Sequence, residues 1–199
     1  MENYAVIILA AGESSRMGQP KQLLPYLETT LLERAFETAC SLAGARVCIV
    51  LGSGAETILP IIANASENII INKDWKTGMS STIKCGLQYI LSKYPATDGV
   101  IFMTCDQPYI TNENLNEMIA MRRENGKTII AASYADTIGI PVLFGARLFS
   151  ELMQLNGDKG AKQIIQKYPD DVAEILIPRA AIDIDTPEQF QALKARPFD

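Results

Sequence analysis

The chain has 199 residues, of which 48% are hydrophobic and 21% charged, so its composition is that of one globular domain and excludes a largely disordered protein. Eighteen basic and twenty-three acidic residues leave a formal net charge of −5. This charge argues against a general binder of nucleic acid or of anionic membranes, because both ligands select a basic surface. The sequence has no histidine, which excludes every mechanism that uses an imidazole as base, proton shuttle or metal ligand.

The amino terminus does not have the pattern of a secretion signal. An acidic residue follows Met1 where a signal peptide needs positive charge, and no apolar run approaches the roughly 18 residues of a membrane span. Three of the four cysteines lie in apolar segments and none forms a C-x-x-C pair, so they are interpreted as buried, reduced side chains: Cys40, Cys48, Cys85 and Cys105. We therefore expect a soluble, cytoplasmic protein with a single domain over residues 1–199.

Short apolar runs alternate along the chain with helical periodicity. Buried strands are predicted at 4–10, 45–51, 68–71, 100–104 and 128–132. Helices are predicted between them over 31–42, 83–91 and 115–119, and capping signals at Thr30 and Thr186 begin the first and last helices. The rhythm breaks over 133–160, where the proline-containing run 139–144 predicts an edge strand or a hairpin. The alternation indicates an α/β fold with a mainly parallel sheet covered on both faces.

The strongest chemical signal is the loop directly after the first predicted strand, where residues 9–21 read LAAGESSRMGQPK. Ligands of open α/β sheets bind outside the carboxyl ends of the strands, and the first such loop is a favoured phosphate site. Small residues let backbone N–H groups approach an anion, and Arg16 and Lys21 add positive charge. The loop has neither the G-x-G-x-x-G fingerprint nor Walker spacing. An ordinary surface loop with two cations is the alternative.

Four further segments place polar residues at the boundaries of predicted elements. Asp106 follows an apolar strand and would either hold Mg²⁺ beside the first loop or form a turn before proline. Segment 75–82 suits an anion, a base edge or a plain helix cap. Asp183 and Asp185 alternate along a predicted short strand, so they would share one face, and one of them is the expected second metal ligand. Segment 157–161 is a functional loop or a helix break.

In their order along the chain, these segments resemble the MobA-like nucleotidyltransferase family, and within it the molybdenum-cofactor cytidylyltransferase branch. The matching motifs are LAAG at 9–12, RMG at 16–18 with Lys21, GMSS at 78–81, DQP at 106–108, GDKGA at 157–161 and DIDTP at 183–187. They cover nearly the whole chain. The resemblance implies a three-layer α/β sandwich with a Rossmann-like sheet of the nucleotide-diphospho-sugar transferase type, a nucleoside triphosphate substrate, and Mg²⁺ as cofactor.

The resemblance also implies roles for individual residues. The nucleotide would be lined by Leu9, Ala10, Ala11 and Gly12, with Ser80 and Ser81 near its base or ribose. Arg16 and Lys21 would hold the triphosphate and act in catalysis together with Asp106, while Asp106 and Asp185 would bind the metal ion. The chain departs from the family pattern at Ile140, where relatives carry histidine before the proline of Gly-x-Pro-x-x-Phe, and at Thr82, which replaces a serine.

The implied reaction is attack by the terminal phosphate of the molybdopterin cofactor on the α-phosphorus of CTP, with release of pyrophosphate and delivery of the product to a molybdoenzyme. A phosphate monoester has a second pKa of about 6, so it is largely dianionic near neutral pH and needs alignment and charge neutralisation in place of a base. The alternatives are a nucleotidyltransferase for a sugar or polyol phosphate, and a non-catalytic carrier of the molybdenum cofactor. No nucleic-acid or membrane partner is expected.

The choice of CTP over GTP rests on position 11. Guanylyl-type relatives resemble LAGG at this point, whereas the present chain carries Ala11. A β-carbon removes room beside the base and restricts the loop more than glycine does, which a pyrimidine tolerates better than a purine. The alternative is that the base is read by the loop at 78–82.

Overall fold

The computed structural model describes residues 2–62, 68–158 and 160–195, which form nine strands and seven α-helices. The strands are β1 Tyr4–Ala10, β2 Pro25–Tyr26, β3 Thr29–Thr30, β4 Arg46–Leu51, β5 Ile69–Ile71, β6 Gly99–Thr104, β7 Ile129–Tyr134, β8 Thr137–Gly145 and β9 Val172–Leu176. The helices are α1 Leu31–Cys40, α2 Ala55–Ile58, α3 Met79–Lys93, α4 Asn112–Asn125, α5 Phe149–Leu152, α6 Lys162–Lys167 and α7 Pro187–Ala195. No helix in these ranges is both long enough and apolar enough to cross a bilayer.

Seven of the strands pair into one sheet in the order β5-β4-β1-β6-β8-β7-β9. All run in the same direction except β8, which is antiparallel to both β6 and β7. Because β1 and β6 are parallel neighbours, with Leu9 opposite Thr104, the loops after these two strands leave the sheet side by side. The expected α/β fold with a mainly parallel sheet is confirmed.

The two faces of the sheet carry separate hydrophobic cores. Val6 and Ile8 of β1 pack with α1, α2 and α4, whereas Ile7 and Leu9 pack with α3, α5 and α6. This division follows from the period of two along a strand, and it explains why the central strands read as continuous apolar runs. A third, smaller core joins α7 to the segment after β1 through Met17, Leu24, Tyr26, Leu31, Ile184, Phe190 and Leu193.

The proline-containing segment forms a hairpin, as one of the two predictions had it, but it is not an edge strand. β7 and β8 form that hairpin, and β8 lies in the interior of the sheet, between β6 and β7. The pairing slips at this point, since Ala131 is opposite Val142 and Ala132 is opposite Gly139. Pro141 therefore sits in the irregularity, where its missing N–H leaves no ladder hydrogen bond unmade.

Both predicted helix caps are present, and the four cysteines differ in how far they are exposed. Thr30 and Glu33 form the expected reciprocal capping box at the start of α1. Thr186 likewise accepts a hydrogen bond from the backbone N–H of Gln189 at the start of α7. All four cysteines are free, but the prediction that they are buried is confirmed only for Cys48 and Cys105. Cys85 is partly exposed, and the prediction is wrong for Cys40, which is exposed near the end of α1. Burial raises the pKa of the Cys48 and Cys105 thiols to about 12, so both stay neutral.

An ionic cluster connects the residues before β1 to α4. It lies at the amino end of β1, opposite the end at which the first loop leaves the sheet. The Glu2 carboxylate accepts hydrogen bonds from the Tyr4 hydroxyl at 2.7 Å, from Arg122 at 2.7 Å and from Arg123 at 3.0 Å. The bond from Tyr4, followed by those from Arg123 and Arg122, lowers the pKa of Glu2 from 4.5 to about 2, although partial burial opposes the shift.

Glu2→Gln is expected to destabilise the fold at pH 7 by about 1 kcal/mol, a value discounted for the partial exposure of the carboxylate. Because the folded pKa lies below the unfolded one, the stabilisation is present above pH 4.5 and is lost as the pH falls towards 2. Urea denaturation of both proteins at pH 7, 4.5 and 3 measures the difference. The exposed Glu124 supplies the control, and a pH-independent effect of Glu2→Gln would contradict the assignment.

Candidate functional site

The loop after β1 is fixed by a side chain that the sequence analysis did not single out. Gln22 is fully buried, and its Nε2 donates to the carbonyl oxygens of Ala10 at 2.8 Å and Gly12 at 3.3 Å. The backbone N–H of Lys21 donates to the Ser14 hydroxyl at 3.2 Å, which closes the loop on itself. The loop is thus an internally bonded structure.

Four charged side chains converge above this loop. The Lys21 ammonium lies 2.5 Å from Oδ2 of Asp106 and 2.8 Å from Oδ1 of Asp185, and Arg16 Nη2 lies 2.6 Å from Oδ2 of Asp185. The Lys21, Asp106 and Asp185 side chains are only 17%, 16% and 23% exposed, whereas Arg16 is 69% exposed. The four charged residues predicted for the triphosphate and the metal ion are therefore neighbours in space.

The fold brings these residues together from three distant parts of the chain. Asp106 follows β6 and lies beside the first loop because β1 and β6 are adjacent. The backbone N–H of Ile184 donates to the Asp106 carbonyl at 2.9 Å, so the segment before α7 lies against Asp106 and presents Asp185 to Lys21. Gln107 Nε2 adds hydrogen bonds to the carbonyls of Ile140 at 3.0 Å and Ala180 at 2.8 Å, which links this edge to β8.

The predicted short strand carrying Asp183 and Asp185 is wrong. Residues 182–185 form no strand, and only Asp185 faces Lys21, while Asp183 is exposed. The physical reason is the residue between them: Ile184 is buried in the small core with α7 and its N–H is bonded to Asp106, so tertiary contacts and not a sheet set the path of the segment.

Mutual pairing favours the charged forms of Lys21 and Asp185. Burial alone would lower the pKa of Lys21, but the charges and hydrogen bonds of Asp106 and Asp185 raise it above its ordinary value. Burial would raise the pKa of Asp185, yet Lys21 and Arg16 lower it. Lys21 and Asp185 are therefore a charged pair at neutral pH.

The donor set fits a hard divalent cation. Two carboxylate oxygens, one from Asp106 and one from Asp185, already contact a single positive group, the Lys21 ammonium. Mg²⁺ is commonly held by one or two carboxylates, with substrate phosphates and water filling its other positions. Among the described residues there is no cluster of three or more His, Cys, Asp or Glu side chains, so an all-protein cage is not formed there. Asp106 and Asp185 thus suit a metal ion that is shared with a phosphate.

A small pocket of about 100 Å³ opens beside the loop. It is lined by Leu9, Ala11, Gly12, Trp75, Gly78, Met79 and Thr82. A β-carbon on Gly12 would have no described atom within 4 Å, so its Cα faces open space. Of the residues expected to line a nucleotide, Leu9, Ala11 and Gly12 lie on this pocket, while Ala10 is buried with its carbonyl bonded to Gln22.

The two serines expected near the base or ribose lie behind the pocket wall. The Ser80 hydroxyl is buried with no hydrogen-bond partner in the described structure, and the backbone N–H of Ser80 donates to the Gly157 carbonyl at 3.1 Å. The Ser81 hydroxyl accepts from Asn72 at 2.8 Å and lies within donating distance of two carbonyls, Gly78 at 2.9 Å and Asp74 at 3.0 Å, so it organises the turn before α3. Trp75, Met79 and Thr82 belong to the same singled-out segment but were not named as binding residues.

The glycine-rich segment expected at 157–161 docks on this turn. Gly78 has a φ of +104°, and a β-carbon there would lie 2.7 Å from the Gly157 carbonyl oxygen and would also meet the Asp158 carboxylate. Gly160 similarly leaves room for Met79, whose Cγ would be 2.9 Å from a β-carbon. Lys159 lies outside the described residues. The segment is a loop between α5 and α6 that positions the pocket wall.

Comparison with known proteins gives a family match over most of the chain. The MobA-like NTP transferase domain matches residues 6–172. Nicotine blue oxidoreductase of Paenarthrobacter nicotinovorans is 29% identical over 94% of each chain. Molybdenum cofactor cytidylyltransferase of Escherichia coli K12 is 27% identical over 96% of this chain and 95% of its own.

A solved structure agrees with the fold. The crystal structure of Rv0371C from Mycobacterium tuberculosis H37Rv in complex with manganese superimposes with a TM-score of 0.78 at 27% identity. The alignment covers 96% of this chain and 97% of that one. A relative with a similar fold has thus been crystallised with manganese.

Proposed function

The chain belongs to the MobA-like NTP transferase family, and from that premise we propose that it is a cytidylyltransferase that joins CTP to the terminal phosphate of a molybdopterin-type cofactor and releases pyrophosphate. The observation that carries the proposal is the cluster of Lys21, Asp106 and Asp185 beside the internally bonded loop after β1. The similarity to molybdenum cofactor cytidylyltransferase over nearly the full length of both chains supports the choice of acceptor.

The proposed reaction needs alignment and charge neutralisation more than acid–base chemistry. An oxygen of the acceptor phosphate bonds to the α-phosphorus of CTP, the bond from that phosphorus to the bridging oxygen breaks, and pyrophosphate leaves with the electron pair. The attacking monoester is already largely dianionic at neutral pH, so no side chain has to remove a proton. A protein without histidine can therefore catalyse it.

The cations of the chain neutralise the phosphates. The Lys21 side chain is partly buried at the end of the loop, so it can fix the position of one phosphate. The Arg16 side chain is exposed and can reach the outer phosphates. Gln22 positions the loop by bonding the carbonyls of Ala10 and Gly12 from the buried side, and N–H groups of the same loop are proposed to bind the phosphates. Asp106 and Asp185 would hold Mg²⁺, which when bound supplies further positive charge to the phosphates.

The base is proposed to lie in the pocket lined by Ala11 and Trp75. Ala11 lines this pocket and is buried, and its methyl group would be only 2.8 Å from a β-carbon on Gly52, so the methyl packs against Gly52 beside the pocket. A pocket of this small size favours a pyrimidine over a purine.

Ala11→Gly is expected to raise the use of GTP relative to CTP by several-fold, because a methyl-sized change in a pocket is worth about 1–3 kcal/mol. The ratio of kcat/KM for the two nucleotides measures the effect. Ala10→Gly is the matched control. It also places a glycine at the end of β1, but Ala10 does not line the pocket. An unchanged ratio in Ala11→Gly would show that position 11 does not select the base. Selection would then be assigned to residues 78–82 at the start of α3.

The proposal is tested by a panel of nucleotides and acceptors. Pyrophosphate release is measured with CTP, GTP, ATP and UTP in the presence of molybdenum-loaded pterin, and then with CTP and a series of sugar and polyol phosphates. Release with CTP and the pterin alone supports the proposal. Release with a sugar phosphate identifies the alternative acceptor class, and the absence of CTP binding in calorimetry with Mg²⁺ present identifies a non-catalytic carrier.

A second candidate is an oxidoreductase, because the relative that is 29% identical bears that name. Its chemistry requires a bound electron donor, whereas the paired carboxylates and cations described above are suited to phosphates and a metal ion. Consumption of NADPH with a panel of quinone-like dyes, in the absence of pyrophosphate release from CTP, would favour this candidate.

A further inference from the structure

The two carboxylates suited to a divalent cation are already paired with cations of the chain itself. Lys21 bridges Asp106 and Asp185, and Arg16 occupies the remaining oxygen of Asp185. Two negative charges are thus balanced by two positive ones. Without a ligand, the cluster has no net charge with which to attract a metal ion.

The position of the ammonium group is as important as its charge. Lys21 Nζ contacts one oxygen of each carboxylate, so a metal ion bound to both oxygens would have to lie close to Nζ. Like charges repel strongly at such distances, and partial burial of all three side chains limits screening by solvent. Metal binding to both carboxylates therefore requires Lys21 to move away.

A nucleotide supplies the reason for Lys21 to move. Its triphosphate would lie over the same loop, and its several negative charges compete with the carboxylates for Lys21 and Arg16. Lys21 carries its charge on a flexible four-carbon stem, while its backbone is held through the Ser14 hydroxyl. The side chain can therefore change partners without rearrangement of the loop.

We propose, on the basis of the proposed function, that Lys21 is an internal counter-cation that excludes divalent metal from Asp106 and Asp185 until a nucleoside triphosphate draws it away. Lys21 then serves two successive partners, the carboxylates in the free protein and the phosphates in the complex. The metal ion enters the site with the nucleotide or after it, never before.

The test measures binding of Mn²⁺ alone by electron paramagnetic resonance, with no nucleotide present. The wild-type protein is expected to show no Mn²⁺ site tighter than millimolar. Lys21→Met is expected to acquire a site at least about tenfold tighter, because the carboxylates are freed of a competing positive charge. Lys21→Met combined with Asp106→Asn should lose that site again, and Lys21→Arg, which keeps the charge, should not acquire it.

A remote ion pair provides the matched control. Lys167 pairs with Glu151 at 2.6 Å on the surface, so Lys167→Met also removes an ion-paired lysine but should not create a Mn²⁺ site. The wild-type arm stands even if Lys21→Met fails to fold. A tight Mn²⁺ site on the nucleotide-free wild-type protein that disappears in Asp106→Asn would overturn the inference, as would a folded Lys21→Met protein without an acquired site.

Failure of the proposed function would look different. Absence of pyrophosphate release from CTP with every acceptor would count against the cytidylyltransferase, yet it would leave the nucleotide-free Mn²⁺ titrations unchanged. A second arm joins the two: when CTP is added, the wild-type protein should bind Mn²⁺ beyond what CTP alone binds in solution, and Asp106→Asn should not.

Discussion

Asp106→Asn is expected to lower metal-dependent release of pyrophosphate by about 10²–10³-fold, the usual effect of removing one electrostatic contact from a phosphoryl-transfer site. Asparagine keeps the shape of the side chain but removes the charge that pairs with Lys21 at 2.5 Å. Lys21 retains Asp185 at 2.8 Å, so the cluster is not left with an isolated buried charge and the fold should persist. The assay is steady-state pyrophosphate release with Mg²⁺ and CTP.

The control for this variant is a carboxylate of the same type far from the site. Asp170 lies before the amino end of the edge strand β9, three strands from β6, and Asp170→Asn should leave turnover unchanged. Thermal unfolding of both variants separates a catalytic loss from a structural one. Near-normal turnover by Asp106→Asn would refute the assignment of this carboxylate to the metal.

Gly12→Ala is expected to lower kcat/KM for CTP by about 10²-fold without lowering stability, because close approach of a glycine backbone to a pyrophosphate leaves no room for a methyl group. The separation of the two effects follows from the structure. A β-carbon at Gly12 would meet no described protein atom within 4 Å, and the residue does not need a positive φ. The added methyl group can therefore conflict only with a ligand.

The opposite behaviour is expected at Gly44, which serves as the matched control. Gly44 also has open space around it, but its φ of +75° belongs to the left-handed region. Gly44→Ala should therefore destabilise the protein by about 1 kcal/mol while leaving nucleotide use unchanged. Calorimetric titration with CTP and thermal unfolding of both variants provide the measurements, and equal affinity for CTP in wild type and Gly12→Ala would show that the phosphates do not pass over Gly12.

The parts of the fold that were predictable are those specified by local pattern. β1 has the predicted limits, Tyr4–Ala10, because an uninterrupted run of seven apolar residues, three of them β-branched, is typical of a strand buried on both faces. The capping box of Thr30 and Glu33 was readable for the same reason, since both partners lie within one turn.

Pairing between distant segments was harder to predict from the sequence. β9 was not predicted, because Val172–Leu176 is a short edge strand in which Glu174 and Leu176 are exposed, and its place in the sheet depends on its pairing with β7. The interior place of β8 depends on its partners β6 and β7 and not on its own composition, so its proline pointed wrongly to an edge.

The candidate site shows the same division. Arg16, Lys21 and Asp106 were predictable because they follow apolar strands whose carboxyl ends lie at the same end of the sheet. Asp185 does not follow a strand, and only the family resemblance distinguished it from Asp183. Gln22 was not predictable, since its role lies in two hydrogen bonds to backbone carbonyls that exist only once the loop is folded. The serines at 80 and 81 are hydroxyls in the right segment, but the helix geometry turns them away from the pocket.

The interior position of β8 has a consequence for synthesis on the ribosome. β6 leaves the ribosome about forty residues before the end of β8, and until β8 is made the side of β6 that it will cover has no partner. The unpaired part of β6 contains Val100, Ile101 and Phe102, which are fully buried in the folded protein. At ordinary translation rates the nascent chain therefore exposes an unpaired, apolar strand edge for seconds. Formation of the β7–β8 hairpin ends the exposure of this edge to chaperones and to aggregation.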